Sequence, residues 1–220
     1  MKKGWIQTWR DLLLQHFELQ DTNFLQKHLP KGCTLDSFEG KHYLGLVSMK
    51  MTDVRHKMVP SFVWFKSYNE LNVRTYIIHD NKPGVLFLSL DVDSFISMLG
   101  ARVLYGLPYR YRSFKSESGA LECRKQDDLK FSCSYTTEQE ASHRSEGSFA
   151  FWATERYFFA NKHLTKSFIG TISHAPWKLA NAEVKNDTLK ILEKYPLGEQ
   201  RPEVLFCEAL HVSTSELRLL

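Results

Sequence analysis

Two neighbouring segments near the middle of the chain restrict its fold more than any other feature. Residues 71–78 alternate between two faces, which is the pattern of a strand that presents different surroundings to each side. Residues 85–90 are apolar on both faces and are predicted to form a central strand. Between them, Asn81-Lys82-Pro83-Gly84 has the composition of a turn. We therefore predict a hairpin at the middle of a β-sheet.

Most of the remaining chain is also predicted to form short strands separated by polar turns. Residues 12–19 fit either a strand or a helix, and residues 52–67, 136–147 and 185–202 are predicted to be loops or polar connections, with 136–147 mobile. The further strand candidates are residues 41–51, 109–115, 120–124, 129–135, 155–160, 167–173, 177–184 and 204–212. Many short strands and few helices favour a mainly β (α+β) fold, with an antiparallel sheet curled on itself or closed into a barrel.

Three short helices are predicted around this sheet. Residues 21–29 are predicted to form the first helix, because Asp21 can cap its free amides and Pro30 ends the segment. Residues 93–105 have an apolar face and end before Gly106. A third helix is predicted to begin at Ser148 and to reach Ala153. No repeat, low-complexity segment or linker divides the chain, so residues 1–220 are predicted to form a single domain.

Charge and composition exclude several classes of partner. The net charge is +4 and the basic residues are scattered, which does not favour nucleic acid. No apolar run approaches the ~20 residues that a membrane-spanning helix requires, so a cytoplasmic protein is expected. The four cysteines lack CxxC spacing, and the nine histidines lack HxH or HExxH spacing. We therefore predict no metal site and no cofactor.

Polar residues within predicted strands are the candidates for a site. Glu70 and Arg74 fall on one strand face, either as a structural ion pair or as a carboxylate positioned to contact a ligand. Tyr109 and Tyr111 alternate with Arg110 and Arg112. Inward arginines would suit an anion, whereas inward tyrosines would suit an aromatic or neutral polar ligand. An entirely solvent-facing strand is the third interpretation.

Three further features have both a structural and a functional interpretation. His174, before Pro176-Trp177, could act as an acid or base in the barrel or form a hydrogen bond in the core. Lys115 lies on the same strand face as Tyr109, but six residues away it is better interpreted as a solvated lysine. The aromatic residues between 149 and 159 are interpreted as core or as a contact in a homo-oligomer.

Seven segments, spread over most of the chain, carry a resemblance to known proteins. They are Trp9-Arg10-Asp11-Leu12-Leu13, Leu29-Pro30, Leu35-Asp36-Ser37-Phe38-Glu39-Gly40, Glu70-Leu71-Asn72-Val73-Arg74-Thr75-Tyr76, Gly106-Leu107-Pro108-Tyr109, Thr154-Glu155-Arg156-Tyr157 and His174-Ala175-Pro176-Trp177. These segments resemble the YqjF-like family of uncharacterised bacterial proteins, which is itself similar to the acetoacetate-decarboxylase-like superfamily. The resemblance implies a cone-shaped antiparallel β-barrel with a few peripheral helices and an internal pocket.

The same resemblance argues against decarboxylase chemistry. Tyr68-Asn69-Glu70 matches the buried glutamate that follows a tyrosine in acetoacetate decarboxylases, and Gly106-Leu107-Pro108 matches the start of their catalytic segment. Tyr109 and Arg110, however, stand where those enzymes have two lysines, the first of which forms a Schiff base. The superfamily pattern places the first residue after the proline inward, which favours Tyr109.

Three functions are compatible with these residues. The first is a barrel that binds a small acidic or aromatic ligand, with Arg74, Arg110, Arg112 and His174 as binding residues beside Glu70 and Tyr109. The second is an enzyme that uses Glu70 as base and Tyr109 as acid on a small carbonyl compound. The third is a structural or protein-binding module whose barrel is filled by side chains and contains no cavity.

Overall fold

A computed structural model describes residues 4–57, 65–95, 97–99, 107–138 and 140–220, except for the side chains of residues 65 and 66. The described residues form fifteen strands, a 3-10 helix (Asn23–His28) and the short helix α1 (Phe149–Thr154). The strands are β1 (Gly4–Glu18), β2 (Cys33–Leu35), β3 (Tyr43–His56), β4 (Phe65–His79), β5 (Lys82–Val92), β6 (Tyr109–Tyr111), β7 (Ser113–Glu117), β8 (Ala120–Lys125), β9 (Asp128–Thr137), β10 (Ser142–His143), β11 (Phe158–His163), β12 (Lys166–His174), β13 (Lys178–Thr188), β14 (Glu203–Ser215) and β15 (Arg218–Leu219).

Seven of the strands close into a barrel. Their order is β12, β11, β5, β4, β3, β1 and β14, and pairing between β12 and β14 completes the ring. The contacts are antiparallel except between β5 and β11, which are parallel and share a single pair, Val85 with Phe159. The mainly β, closed-barrel expectation is therefore confirmed.

One edge of β5 carries an interruption that we call the barrel window. β11 pairs with this strand at Val85, and β6 pairs with it only from Leu90 onward. Between these points the Asn161 side chain donates to the Phe87 carbonyl at 2.8 Å and accepts from the Phe87 amide at 3.3 Å. A side-chain amide thus takes the place that the next backbone pair would have in the ladder.

The described residues form three hydrophobic clusters, and the two largest lie on opposite faces of the barrel wall. The interior core collects side chains from all seven barrel strands, including Trp9, Met49, Tyr76 and Phe159. A second core lies between the outer faces of β1, β3 and β4 and an outer sheet in which β14 is followed by β13, β9, β8 and β7. α1 packs its aromatic side chains against Tyr43 and Tyr76 and so covers one end of the barrel.

The central hairpin is confirmed, but its turn lies earlier than predicted. The turn residues are Asp80 and Asn81, both with positive φ (49° and 59°). Asp and Asn tolerate this conformation, which a two-residue hairpin turn requires. Lys82-Pro83-Gly84, predicted as part of the turn, already belongs to β5.

Other boundaries differ because long-range pairing extends or divides the predicted elements. The ambiguous segment 12–19 belongs to β1, and the predicted loop 52–67 is wrong at both ends because β3 and β4 extend into it. The predicted loop 136–147 contains β10. The strand predicted over 109–115 is divided at Arg112 into β6, which pairs with β5, and β7, which pairs with β8.

The helix predictions have three outcomes. Ser148 accepts a hydrogen bond from the Phe151 amide at 3.3 Å and caps α1 as predicted. The segment after Asp21 is a 3-10 helix, and Asp21 accepts a hydrogen bond from the Asn23 amide. Of the helix predicted over 93–105, residues 95 and 97–99 are helical, and residues 96 and 100–105 lie outside the described residues. Across the described ranges, no helix has the length and apolar character needed to cross a membrane.

Candidate functional site

Alternation along β4 places a row of polar side chains inside the barrel. Tyr68 and Tyr76 belong to the interior core, and the residues of the same parity between them, Glu70, Asn72 and Arg74, line a cavity of about 30 Å³. A cavity of this size holds about two water molecules. The barrel interior is therefore nearly filled, but it does contain a cavity, which the structural or protein-binding module predicted from the sequence would lack.

Glu70 is the central carboxyl of this cavity. It is 3 % exposed, accepts a hydrogen bond from Asn72 Nδ2 at 3.2 Å through Oε1, and accepts one from Tyr109 Oη at 3.3 Å through Oε2. Burial raises the pKa of Glu70 to about 7, against the opposing effects of the two hydrogen bonds and of Arg74. Both protonation states are therefore populated near neutral pH, as a group that exchanges protons requires.

Arg74 shares the cavity with Glu70 but does not pair with it. Among the described residues no carboxylate forms an ion pair with Arg74, which is 6 % exposed, and its Nε has no hydrogen-bond acceptor. The shared face of Glu70 and Arg74 is thus confirmed, whereas the suggested ion pair is not formed. The guanidinium lies 5.8 Å from the centroid of the Tyr76 ring.

Gly45 makes room for this arrangement from the neighbouring strand. It pairs directly with Arg74, and a Cβ atom at this position would lie 2.9 Å from Tyr76 Oη and 3.2 Å from Arg74 Cγ. Because the first distance is shorter than a normal contact, any larger residue would displace the Tyr76 hydroxyl or the Arg74 side chain. The glycine therefore permits both groups to lie in the barrel interior.

The residues after Pro108 separate onto different sides of the barrel wall. Tyr109 points inward to Glu70, as the superfamily pattern implied. Arg110 and Arg112, predicted to bind ligand, do not line the interior cavity. Their Nε atoms lie 2.9 and 3.7 Å from Oδ1 of Asp91, which is 1 % exposed and needs counter-charges on the outer face. Tyr111 is half exposed beside Phe95, so the two tyrosines do not both point inward.

His174 lies at the edge of the interior cavity between two aromatic side chains. Its ring stacks on Tyr157 with centroids 4.6 Å apart and meets the Trp177 ring edge-on at 5.7 Å. Nδ1 lies 2.9 Å from the Ala175 carbonyl oxygen, which can only accept, so Nδ1 carries the proton of that hydrogen bond. His174 is thus held by ring contacts and a local hydrogen bond beside the cavity.

Arg156 is a cavity residue that the sequence reasoning missed. It forms an ion pair with Asp36 at 2.7 Å and donates to the carbonyl oxygens of Trp152 and Gly84 at 2.7 and 3.1 Å. Its guanidinium lies 4.6 Å from the ring centroids of both Tyr76 and Trp152. The available signal was a single arginine within an aromatic segment, in the quoted motif Thr154-Glu155-Arg156-Tyr157.

Two tryptophans of the cavity wall were also not identified from the sequence. Trp9 and Trp177 line the interior cavity, and within the described part of the chain their Nε1 donors have no acceptor. With Arg74 Nε they make three buried donors around one cavity. Buried donors normally have partners, so this wall suits a molecule that offers several acceptor oxygens. No group of three or more metal-binding side chains occurs among the residues the structure describes.

A larger cleft lies outside, at the barrel window. Its volume is about 350 Å³, and its described lining residues are His28, Leu86, Phe87, Leu88, Leu107, Pro108, Tyr109, Arg110, Asn161, Lys162 and His163. Phe87 also lines the interior cavity, and the Tyr109 hydroxyl reaches Glu70 within it. Phe87 and Tyr109 therefore form the partition between the cleft and the interior cavity.

Comparison with known proteins relates this geometry to a family and a fold. The DUF2071 family, described as an uncharacterized conserved protein, matches residues 6–211. The uncharacterized protein YqjF of Bacillus subtilis (strain 168) is 33 % identical over 189 residues, which cover 82 % of this chain and 78 % of that protein.

Solved structures of lower identity share the architecture. The enduracididine biosynthesis enzyme MppR, complexed with pyruvate, has a TM-score of 0.67 at 10 % identity, covering 98 % of this chain and 90 % of that one. An acetoacetate decarboxylase from Legionella pneumophila has a TM-score of 0.66 at 13 % identity, covering 100 % and 87 %. At these identities the likeness concerns the fold alone. The chain belongs to the DUF2071 family, as the resemblance to YqjF-like proteins implied, and it has the acetoacetate-decarboxylase-like fold.

Proposed function

We propose that this DUF2071 protein binds a small organic acid inside the barrel, with the ligand's carboxylate against Arg74. The observation that carries the proposal is the buried Arg74 guanidinium, whose Nε lacks an acceptor and which has no carboxylate partner among the described residues. An unpaired buried charge is costly, and a bound carboxylate would compensate it. Trp9 and Trp177 would donate to the remaining ligand oxygens.

The size of the cavity sets the condition for binding. About 30 Å³ admits two water molecules but not an acid with several heavy atoms. Phe87 is the movable part of the wall, because its ring separates the cavity from the cleft at the window. A turn of this side chain joins the two spaces and admits the ligand. Side chains change rotamer fast enough that this step need not limit binding.

Calorimetric titration of the full chain with pyruvate and acetone tests the proposal. Pyruvate is chosen because the structural neighbour MppR is solved with it, and acetone has the carbonyl group without the carboxylate. Pyruvate is expected to bind measurably and acetone not. Affinity should fall as pH rises through about 7, because ionised Glu70 repels the ligand carboxylate. Arg74→Met is expected to weaken pyruvate binding by about tenfold or more, the effect of losing a charge-assisted hydrogen bond.

Arg124→Met is the matched control, because Arg124 lies in β8 outside the cavity and contacts Glu122. Its affinity for pyruvate should equal that of the unchanged chain. Equal affinities for acetone and pyruvate, or an unchanged affinity in a folded Arg74→Met protein, would contradict the proposal. Thermal unfolding establishes that each variant is folded, and Arg74→Lys serves if the methionine variant is not.

A second function, enolisation of a small carbonyl compound, is favoured by the contact between Tyr109 Oη and Glu70 Oε2 at 3.3 Å. Ionised Glu70 would take a proton from the carbon beside the carbonyl, and the C–H electron pair would form the C=C bond of the enol. The carbonyl oxygen would take the hydroxyl proton of Tyr109. Reversal returns a proton to Tyr109 and one to the carbon, and in D₂O the carbon takes a deuteron once the carboxyl proton of Glu70 has exchanged with the solvent. A carboxyl with a pKa of about 7 suits the role of base at neutral pH.

Loss of the pyruvate methyl signal in D₂O, followed by proton NMR, measures this reaction directly. The rate is expected to rise with pH and level off above about 7. Glu70→Gln and Tyr109→Phe should each slow exchange by about 100-fold or more, the usual contribution of a positioned acid or base. Tyr111→Phe, on the half-exposed tyrosine of the same strand, should not. An exchange rate equal to that of buffer would exclude this chemistry for pyruvate.

A further inference from the structure

We propose that the cleft at the barrel window is a second binding site, for a small molecule that joins an anionic group to an apolar, ring-sized body. The inference goes beyond the proposed function, because the lysine and histidines of the cleft do not line the interior cavity. The cleft volume of about 350 Å³ falls within the range of roughly 300–1,000 Å³ that is typical of small-molecule sites.

Basic residues from three separate elements line this cleft. Lys162 and His163 come from β11, Arg110 comes from β6, and His28 is the last residue of the 3-10 helix. No carboxylate occurs among its described lining residues. Within the described ranges, Lys162, His163 and His28 form no ion pair and no side-chain hydrogen bond. These nitrogen groups are therefore available to an added anion.

The surroundings of His28 report the same excess of positive charge. Burial lowers the pKa of His28, and the positive charges of Lys27, Lys194 and Lys162 lower it further. Lys194 in turn has its pKa lowered by burial and by Arg110. Asp91, the carboxylate that Arg110 contacts, is already shared with Arg112. Basic groups that lower one another's pKa lie in a positive local field, and a bound anion would reduce the repulsion between them.

The remaining wall of the cleft is apolar, and this selects the rest of the ligand. It is formed by Leu86, Phe87, Leu88, Leu107 and Pro108, with Tyr109 beside them. An inorganic anion would contact the basic groups and leave this wall uncovered. A ligand with an attached ring would cover it and gain the free energy of apolar burial. We therefore assign an amphiphilic anion rather than a simple ion.

Phenyl phosphate is the probe, with phenol and inorganic phosphate as its two halves, in calorimetric titrations of the full chain. Phenyl phosphate is expected to bind at least several-fold more tightly than either half. Lys162→Ala should weaken its binding by about fivefold, the effect of one exposed ion pair. Lys115→Ala is the matched control, because Lys115 is an exposed lysine of β7 that contacts Glu117. Absence of saturable binding, or equal effects of the two lysine variants, would overturn the proposal.

NMR titration of the His28 imidazole locates the ligand. Saturating phenyl phosphate is expected to raise the pKa of His28, because the anion offsets the positive charges of Lys27, Lys194 and Lys162 that lower it. An unchanged pKa of His28 in a protein that binds the probe would place it elsewhere and reject the cleft. His28 does not line the interior cavity, so this signal does not depend on whether pyruvate binds there.

Discussion

Burial shifts the pKa values of two ionisable side chains inside the barrel in opposite directions, in each case favouring the uncharged form. Burial raises the pKa of Glu70 to about 7, and it lowers the pKa of His16 to about 3, with a further lowering by Arg74. His16 lies 1 % exposed with its ring against Tyr76 and Phe149. Just below pH 6, His16 is protonated in the unfolded chain and neutral in the folded chain. Glu70 is then mostly ionised in the unfolded chain and mostly protonated in the folded chain.

Glu70→Gln is expected to change how stability depends on pH. Between the unfolded pKa near 4.5 and the folded pKa near 7, the folded state binds more protons at Glu70, so this residue's contribution to stability falls as pH rises. The Glu70→Gln variant has no ionisable side chain at this position, so its stability does not fall with pH for this reason. Its free energy of unfolding, relative to the unchanged chain, should therefore increase by about 3 kcal/mol from pH 4 to pH 8.

Urea denaturation at several pH values measures the difference. Glu117→Gln, on the exposed strand β7, is the control and should show little change with pH. A difference between Glu70→Gln and the unchanged chain that stays constant from pH 4 to pH 8 would mean that folding does not change the pKa of Glu70. Glu70 would then have an ordinary pKa, and its proposed role as a base would lose the support of a pKa near 7.

At the level of elements, the edge of β5 determines where the barrel can open. β5 pairs with β11 at a single residue and with β6 only near its other end. Asn161, 5 % exposed, bridges the interval through both polar atoms of its amide. The window thus depends on a side chain where a regular barrel would have backbone pairing. This places the partition residues Phe87 and Tyr109 beside the weakest pairing in the described wall.

Asn161→Ala should weaken this edge selectively. The Phe87 amide and carbonyl lose their partners, which is expected to cost about 2 kcal/mol in the free energy of unfolding. Hydrogen exchange followed by NMR should show faster exchange at the Phe87 amide, with amides paired between β3 and β4 unaffected apart from the global change. Asn23→Ala, at an exposed residue of the 3-10 helix, should change neither the free energy of unfolding nor the exchange rate of the Phe87 amide. Unchanged protection of Phe87 would show that Asn161 does not hold the window closed.

For the molecule as a whole, the sequence predicted features that depend on local periodicity. The period of two in β4 placed Glu70 and Arg74 on one face, and the apolar run at 85–90 identified a strand buried on both sides. The sequence did not predict that Arg112 separates β6 from β7, because β6 pairs with the barrel strand β5 whereas β7 pairs with β8 of the outer sheet. Distant pairing, rather than the alternation of tyrosines and arginines, decides which side chains face inward.

The same limit explains the missed cavity residues. Arg156 lies inside because Asp36, more than a hundred residues away, supplies its counter-charge and because its guanidinium contacts the rings of Trp152 in α1 and Tyr76 in β4. No pattern in the residues around position 156 encodes those partners. Trp9 and Trp177 meet only when β1 and the start of β13 are assembled, with ring centroids 6.4 Å apart. A prediction from sequence therefore finds the strand faces more readily than the complete cavity wall.

The two cores on either side of the barrel wall limit how a family with this fold can change in length. In β4, Tyr68 and Tyr76 face the interior core, while Leu71 and Val73 face the core beneath the outer sheet. Inserting or deleting one residue within such a strand would exchange its two faces, bringing Glu70 and Arg74 against leucines of the outer core. Insertions and deletions among relatives should therefore accumulate in the turns, and the spacing from Tyr68 to Tyr76 should stay constant even where the side chains between them differ.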